Sequence, residues 1–326
     1  MTSRSTFSLR RWRWLSIVAA ANLAAVGLVA APSQAQGASL CSGTAENFTI
    51  VGNLAVPAGA SCTLINSRVT GNVVVRAEAN LGLEGSTVDG DLTAHAASFV
   101  DLIGGTVRGT TRLRDAFGGV VESSDVQQVS VAGSGFLITD RSTHGASLVS
   151  QGSQTVVLSG RINGDVRTSG DVLTDLHDSV ITGRLVVDQA ELGSVTCRSE
   201  IDANVTVRGS ADLVQLGEGT FADCEFNVLG GDLVLQDNLG AIEVNGNVIR
   251  GDLGCDGNES APTGAGNRVR GQQLGQCADL AAAAPALGSS RAATSAEDRI
   301  AGLIDGAADR SAAAAAAAER AGPANL

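Results

Sequence analysis

The chain has 326 residues, of which 34 are acidic and 22 are basic, so its net charge is −12. Every basic residue is arginine, and tyrosine is absent. A strongly acidic surface disfavours nucleic acid and anionic membranes as partners, because both attract a basic footprint. The composition therefore argues against a nucleic-acid-binding protein.

Residues 1–35 are typical of a Sec-type signal peptide. An apolar run from Leu15 to Ala31 ends in one small-residue cleavage site, at 29–31, and a second follows at 33–35. No later segment is long and apolar enough to span a bilayer. We expect a secreted or envelope-associated protein with a net charge of about −16, because four arginines leave with the leader. These arginines are Arg4, Arg10, Arg11 and Arg13.

An internal repeat follows the leader. A motif of the form V-x-G-[N/D]-φ-x-φ, where φ is apolar, recurs at 69–75, 88–92 and 162–166, among other places. Within each of three runs its glycines recur about every 19–20 residues, and periods near this length are typical of solenoids. The repeat glycines are Gly52, Gly71, Gly90, Gly109, Gly145, Gly164, Gly183, Gly231, Gly251 and Gly271.

Apolar residues occupy fixed offsets from each glycine, at +2 and +4, at +10 and +12, and at +17. Alternation with period two indicates strands that bury one face. Two such strands and a corner residue form one coil, and equal offsets of successive coils stack in parallel. The sequence thus predicts an all-β fold, a right-handed parallel β-helix of about 12 coils. The predicted domains are the signal peptide at 1–35, the β-helix at 36–280 and an Ala-rich tail at 281–326.

Two regions break the repeat. Between Gly118 and Gly145, Gln127 and Gln128 stand where the glycine is expected, and the apolar positions shift by one. The segment 216–230 contains an insertion of about eight residues with Phe221, Cys224 and Phe226. Irregular coils often carry binding surfaces. A bulge that absorbs a repeat error is the simpler interpretation.

The six cysteines are expected to form disulfides, as an even number in an exported chain usually does. Pairing in sequence order gives gaps of about one coil, which places the partners on adjacent coils within reach of a disulfide. Two of the three bridges then lie at the first and last coils. The predicted pairs are Cys41–Cys62, Cys197–Cys224 and Cys255–Cys277.

The Ala-rich tail is expected to be a disordered or partly helical appendage, with a helix from about Ser295. Its composition is dominated by alanine, including an unbroken run at 312–318.

Residues 41–280 resemble secreted, uncharacterised β-helical repeat proteins of actinobacteria, most specifically in the ending at 254–264 and 276–278. That group implies the fold but no activity. The coil length is also similar to that of bactofilins, which implies end-to-end polymerisation. Export and disulfides at the ends depart from the bactofilin pattern.

An enzyme is the first alternative, because right-handed β-helices often host polysaccharide lyases or hydrolases. The best candidates for catalytic residues are Asp165, Arg167 and Arg184, where Arg184 stacks over Asp165 from the next coil. A surface salt bridge between coils is the simpler explanation. Lysine and tyrosine are absent, and both tryptophans lie in the predicted leader, so the mature chain lacks aromatic platforms of these types for sugars, which also argues against a lyase.

A metal site is the second alternative. Asp232 and Asp252 share offset +1 in consecutive coils, and Ca²⁺ prefers oxygen ligands. The same offset carries Asn or Asp in other coils, so a polar turn ladder explains more of the column. His95, His144 and His177 fall at different offsets and are not expected to cluster.

The sequence favours a non-enzymatic, exported structural or binding module without a cofactor. Its partner is unknown, with a cell-wall glycan or lateral self-association as the options. Val74, Val186 and Val234, at offset +3, point outward and form a candidate stripe for lateral contact.

Overall fold

The structure, a computed structural model, describes residues 37–280 and 295–326. It is an all-β parallel solenoid of about 12 turns followed by one helix, which confirms the predicted fold class. Three parallel sheets, here called A, B and C, run the length of the solenoid. The predicted signal peptide lies outside the described residues.

Sheet A has 13 strands, and in the regular coils each strand begins two residues after the repeat glycine. Its strands are β1 Ser39–Leu40, β4 Leu54–Val56, β7 Val73–Val75, β10 Leu92–Ala94, β13 Thr111–Arg114, β16 Val129–Ala132, β19 Leu148–Gln151, β22 Val166–Ser169, β25 Leu185–Asp188, β28 Val205–Arg208, β31 Leu233–Gln236, β34 Leu253–Asp256 and β36 Gln273–Gly275.

Sheet B has 11 strands and contains the second predicted alternating pair. Its strands are β2 Gly43–Glu46, β5 Ser61–Ile65, β8 Asn80–Glu84, β11 Phe99–Ile103, β14 Gly118–Glu122, β17 Leu137–Asp140, β20 Gln154–Leu158, β23 Leu173–His177, β26 Ser194–Cys197, β29 Val214–Gly217 and β32 Ile242–Asn245.

Sheet C has 12 strands of two residues each and stands where the sequence predicted only a corner residue. Its strands are β3 Thr49–Ile50, β6 Arg68–Val69, β9 Thr87–Val88, β12 Thr106–Val107, β15 Asp125–Val126, β18 Thr143–His144, β21 Arg161–Ile162, β24 Val180–Ile181, β27 Glu200–Ile201, β30 Val228–Leu229, β33 Val248–Ile249 and β35 Arg268–Val269.

The core lies inside the three sheets, where equal offsets of successive coils stack. Leu54, Val73 and Leu92 are Cα partners on sheet A and are fully buried. Each coil adds the same few aliphatic side chains, so apolar burial accumulates along the axis.

Except at Gly52, whose φ is 95°, the repeat glycines are required by close approach of the coils rather than by turn geometry. A Cβ on Gly71 would lie 2.5 Å from the carbonyl oxygen of Gly52, and Gly90 meets Gly71 in the same way. Positive φ angles occur instead in two other turns of the coil, for example at Asn66 and Glu78.

The two irregular regions have different origins. The shift around Gln127 arises from shortened coils, since Thr111 pairs with Val129 and Leu148 pairs with Val166. The insertion lies between β29 and β30 and leaves the stacking of sheet C intact.

The three disulfides are Cys41–Cys62, Cys197–Cys224 and Cys255–Cys277, the same pairs that the spacing predicts. Their Cα–Cα distances are 5.6, 5.2 and 5.2 Å. The first and third hold the two ends of the solenoid, and the second ties the insertion to β26.

The helix, α1, spans Ala296–Ala321 and begins at a capping box in which Ser295 is the N-cap and Asp298 the third residue. This confirms the predicted helix start. The helix packs against the solenoid, because Ile300 and Ala307 lie in one buried cluster with side chains of sheet B. No helix among the described residues is long and apolar enough to cross a membrane.

Candidate functional site

The Asp165 cluster comes together as the sequence predicted. The carboxylate of Asp165 contacts the guanidinium of Arg167, and its Oδ2 lies 3.1 Å from Nη2 of Arg184. Its Oδ1 accepts the backbone N–H of Arg184 at 2.7 Å. Burial alone would raise the pKa of Asp165, but the hydrogen bonds and positive charges of Arg184 and Arg167 hold it below the usual value. Asp165 is thus an ionised coil-to-coil link rather than a proton donor.

Asp232 and Asp252 belong to a hydrogen-bond ladder at offset +1. Oδ1 of Asp232 accepts the backbone N–H of Asp252 at 2.9 Å, and Oδ1 of Asp252 accepts that of Gln272 at 2.7 Å. Asn53 and Asn72 make the same bond one coil apart. One oxygen of each carboxylate is therefore already used by the next coil.

Two further polar ladders, which the sequence analysis missed, lie at buried corners. Asn227 and Asn247 stack with an Nδ2 to Oδ1 distance of 2.9 Å, as do Asn238 and Asn258. Their spacing of one coil, 20 residues in each pair, is the signal in the sequence that marks them. Each ladder satisfies backbone groups that the turns leave without a partner.

The three histidines do not cluster, as the offsets predicted. His144 faces the core of sheet C, and its Nε2 lies 2.9 Å from Oγ1 of Thr139. Burial lowers the pKa of His144 to about 4, so the ring is neutral near pH 7. A buried polar group of this kind stabilises only while it stays uncharged.

His177 has a neighbour that the sequence analysis overlooked. It is the Cα partner of Cys197 on the adjacent coil, and its ring lies beside the Cys197–Cys224 disulfide. A ring nitrogen of His177 and the sulfurs of Cys197 and Cys224 all lie within 4.8 Å of one another. Because both sulfurs are bonded to each other, this cluster offers one free ligand atom in the oxidised protein.

Sheet A does not carry a continuous valine stripe. Val74, Val186 and Val234 all face outward, but Thr93 follows Val74, and Thr206 separates the other two. The predicted lateral contact therefore has isolated valines as its only basis.

The outer face of sheet B is the most distinctive surface. Its central column is covered by α1 and is mainly apolar in the middle coils, where Val120, Ile138 and Val156 are consecutive Cα partners. Ile138 and Val156 are buried beneath the helix. Val195 continues the column beneath the start of α1.

Arginine side chains of α1 anchor it to this face at two points. Arg299 binds the fully buried Asp175 with two hydrogen bonds and donates to the carbonyl of Leu192 at 2.9 Å. Arg310 donates to Oδ1 of Asn80 at 2.9 Å. Both guanidinium groups also lie over phenylalanine rings, at 4.9 Å from the centroid of Phe221 and 5.0 Å from that of Phe117.

The insertion supports the start of the helix. The carbonyl of Phe221 accepts the N–H of Ala296 at 3.2 Å, and the N–H of Asp223 donates to Glu297 at 3.1 Å. Buried Gln215 in turn accepts the backbone N–H of Ala222 at 3.0 Å. The insertion is therefore a docking platform, which neither interpretation of the sequence foresaw.

The segment after α1 pairs with the first strand of sheet B. The N–H of Thr44 donates to the carbonyl of Gly322 at 3.0 Å, and the N–H of Ala324 donates to Thr44 at 2.8 Å. An open strand edge is a template for pairing with other chains. Here the chain's own C-terminal segment occupies it.

An open groove runs beside α1 along two neighbouring columns of sheet B. Its volume is about 430 Å³, and apolar atoms make up most of its wall. Three carboxylates border it, and Arg141, which pairs with two of them, is not among its lining residues. These acids are Asp101, Glu122 and Asp140.

Comparison of the chain with protein-family models, curated proteins and solved structures finds no match. The resemblance to actinobacterial β-helical proteins and to bactofilins therefore stays a prediction. A solenoid with three disulfides fits an extracellular structural protein.

Proposed function

We propose that the protein is an exported, non-enzymatic β-solenoid that serves as a rigid structural or binding module of the cell envelope or extracellular space. One observation carries this proposal: the polar groups with the best case for chemistry are engaged in holding coils together. Asp165 binds two arginines and a backbone N–H, and Asp232 and Asp252 each accept a backbone N–H.

The disulfides at both ends and the covered first edge of sheet B support the same role. Disulfides hold both ends, and the segment after α1 occupies the edge of β2. Such a rod offers its sides for contact and does not invite head-to-tail growth, unlike the bactofilins that the coil length resembles. The predicted signal peptide and the resemblance to secreted actinobacterial proteins are in keeping with export.

Incubation with a panel of acidic polysaccharides, with and without Ca²⁺, tests this proposal against a lyase or hydrolase. We expect no product. Product formation that Arg184→Ala abolishes, while Arg208→Ala on the same sheet does not, would overturn the non-enzymatic role. Arg208 is a suitable control because it forms a similar exposed ion pair with Asp188.

Light scattering across a range of protein concentrations tests the effect of the disulfides and of the covered edge. We expect a monomer throughout. Long polymers that persist when the C-terminal segment is intact would contradict the proposed role of that segment.

A further inference from the structure

The groove beside α1 is formed by side chains of two elements, sheet B and the helix. Val120 and Ile138, on the central column of sheet B, line the groove. In the neighbouring column, the residues that line it run from Ile103 to Leu158. Ile304 and Ala308 close it from the helix. Its volume of about 430 Å³ falls within the usual range for small-ligand sites.

Two apolar side chains of the groove are exposed, and no other side chain in the described part of the chain covers them. Ile103 is 39% exposed and Ile304 is 41% exposed, on opposite walls. The floor is different, because Ile138 is only 4% exposed. A chain-like apolar ligand placed between these walls would bury both isoleucines.

The charge at the groove selects the ligand. Glu122 and Asp140 are Cα partners in the column that also contains Ile103 and Leu158, and both form salt bridges with Arg141. Asp101 lies in the central column of sheet B, next to Val120. Burial raises the pKa of Asp101, and the charges of Glu122 and Glu84 add to this effect, although a hydrogen bond from Ser311 opposes it. Burial likewise raises the pKa of Asp140. An added positive charge would relieve this cost, whereas a carboxylate or phosphate would be repelled.

We propose that this groove binds a small amphiphilic cation, an amine whose apolar part lies between Ile103 and Ile304 and whose ammonium group lies beside Glu122 and Asp140. The inference rests on the proposed binding function and names its ligand class. The apolar wall supplies burial, and the acidic border supplies selectivity for the sign of the charge.

Calorimetric titration of the purified protein tests this proposal with two probes of equal chain length, hexylamine and hexanoate. We expect hexylamine to bind and hexanoate to bind at least tenfold more weakly. A charge-removing double variant, Glu122→Gln with Asp140→Asn, frees Arg141 and should reverse this preference. The matched control, Asp89→Asn with Asp188→Asn, removes the same charge from coil-to-coil ion pairs outside the groove and should leave hexylamine binding unchanged.

A second variant tests the apolar part. Ala308→Trp, at an exposed helix position, should fill the groove and weaken hexylamine binding at least tenfold without unfolding the chain. The proposal is overturned if hexylamine binds no tighter than hexanoate, or if the groove variants and the control behave alike. It is also overturned if the parent protein self-associates and Ala308→Trp abolishes this, since the groove would then be a contact between two copies.

These outcomes are distinct from failure of the proposed function. Product formation from a polysaccharide would overturn the non-enzymatic role whatever the amine does. Absence of amine binding would leave the structural role standing.

Discussion

Sheets A and B are built from the same coils and share one core, yet their outer faces differ. The outer face of sheet A carries threonine, arginine and isolated valines, and its carboxylates form exposed ion pairs with arginine. The outer face of sheet B carries Val120, Ile138 and Val156 beneath α1. The repeat therefore dictates the inside of the solenoid, whereas the outer columns reflect whether another element covers them.

The ion pair that anchors α1 to sheet B differs from the pairs beside sheet A in the same way. The side chains of Asp175 on sheet B and Arg299 on α1 are 0% and 12% exposed, whereas those of Asp165 and Arg184 are 20% and 54% exposed. Loss of one partner of a buried pair leaves a charge without water, whereas an exposed pair contributes little. This contrast can be measured.

Removal of residues 281–326 should have the largest effect. It uncovers the apolar column of sheet B and the edge of β2, so we expect a loss in unfolding free energy on the order of 5 kcal/mol. Thermal unfolding and binding of an apolar dye measure the change. Removal of residues 323–326 alone is the control and should mainly increase association through β2. Unchanged thermal stability of the longer truncation would show that α1 does not stabilise sheet B.

The variant Asp175→Ala should cost about 3–5 kcal/mol in unfolding free energy, because it leaves the Arg299 guanidinium buried without its partner. Urea unfolding measures this. The double variant Asp175→Leu with Arg299→Leu should recover part of the loss, since no charge then remains buried. A cost below about 1 kcal/mol for Asp175→Ala would place this pair in the same class as those of sheet A.

Buried His144 should make the folded protein less stable in acid. Its pKa is about 4 in the folded protein and 6.5 ordinarily, so the unfolded chain takes up a proton in this range before the folded one does. The contribution of His144 to stability therefore falls as the pH falls from about 6.5 to 4, by up to about 3 kcal/mol.

Unfolding at several pH values checks this effect. His144→Val combined with Thr139→Val should flatten the dependence between pH 6.5 and 4, while His95→Gln, at a partly exposed turn, serves as the control. A double variant with the slope of the parent protein would contradict the assignment to His144.

Arg184→Ala should have the smallest effect, below about 1 kcal/mol, because its ion pair with Asp165 is exposed and screened by salt. Urea unfolding at low and high salt measures it. A loss of several kcal/mol that salt does not reduce would mean that the two faces do not differ as described.

The sequence predicted the coils well because each coil repeats the same local constraints. Gly71 and its equivalents, the apolar offsets and the gap from Cys255 to Cys277 all report contacts one coil away. The number of strands per coil was less accessible, since a two-residue strand such as β6 shows only one buried residue.

The covered face was not predicted, because it depends on contacts between distant residues. Arg299 and Asp175 are 124 residues apart, and Arg310 and Asn80 are 230 apart. A signal did exist: the spacing from Arg299 to Arg310 corresponds to about three turns of a helix, and hence to one face. The outward Val120, Ile138 and Val156 complete that signal, once their register is known.

Hydrogen exchange of the intact protein tests the central claim most directly, namely that the C-terminal helix covers the outer face of sheet B and the segment after it covers the edge of β2. Amides of Ala296–Ala321 and of Thr44 should exchange slowly, and removal of residues 322–326 should release Thr44 while most of α1 stays protected. Rapid exchange throughout α1 in the intact protein would contradict the account, since a free Ala-rich helix would leave sheet B uncovered.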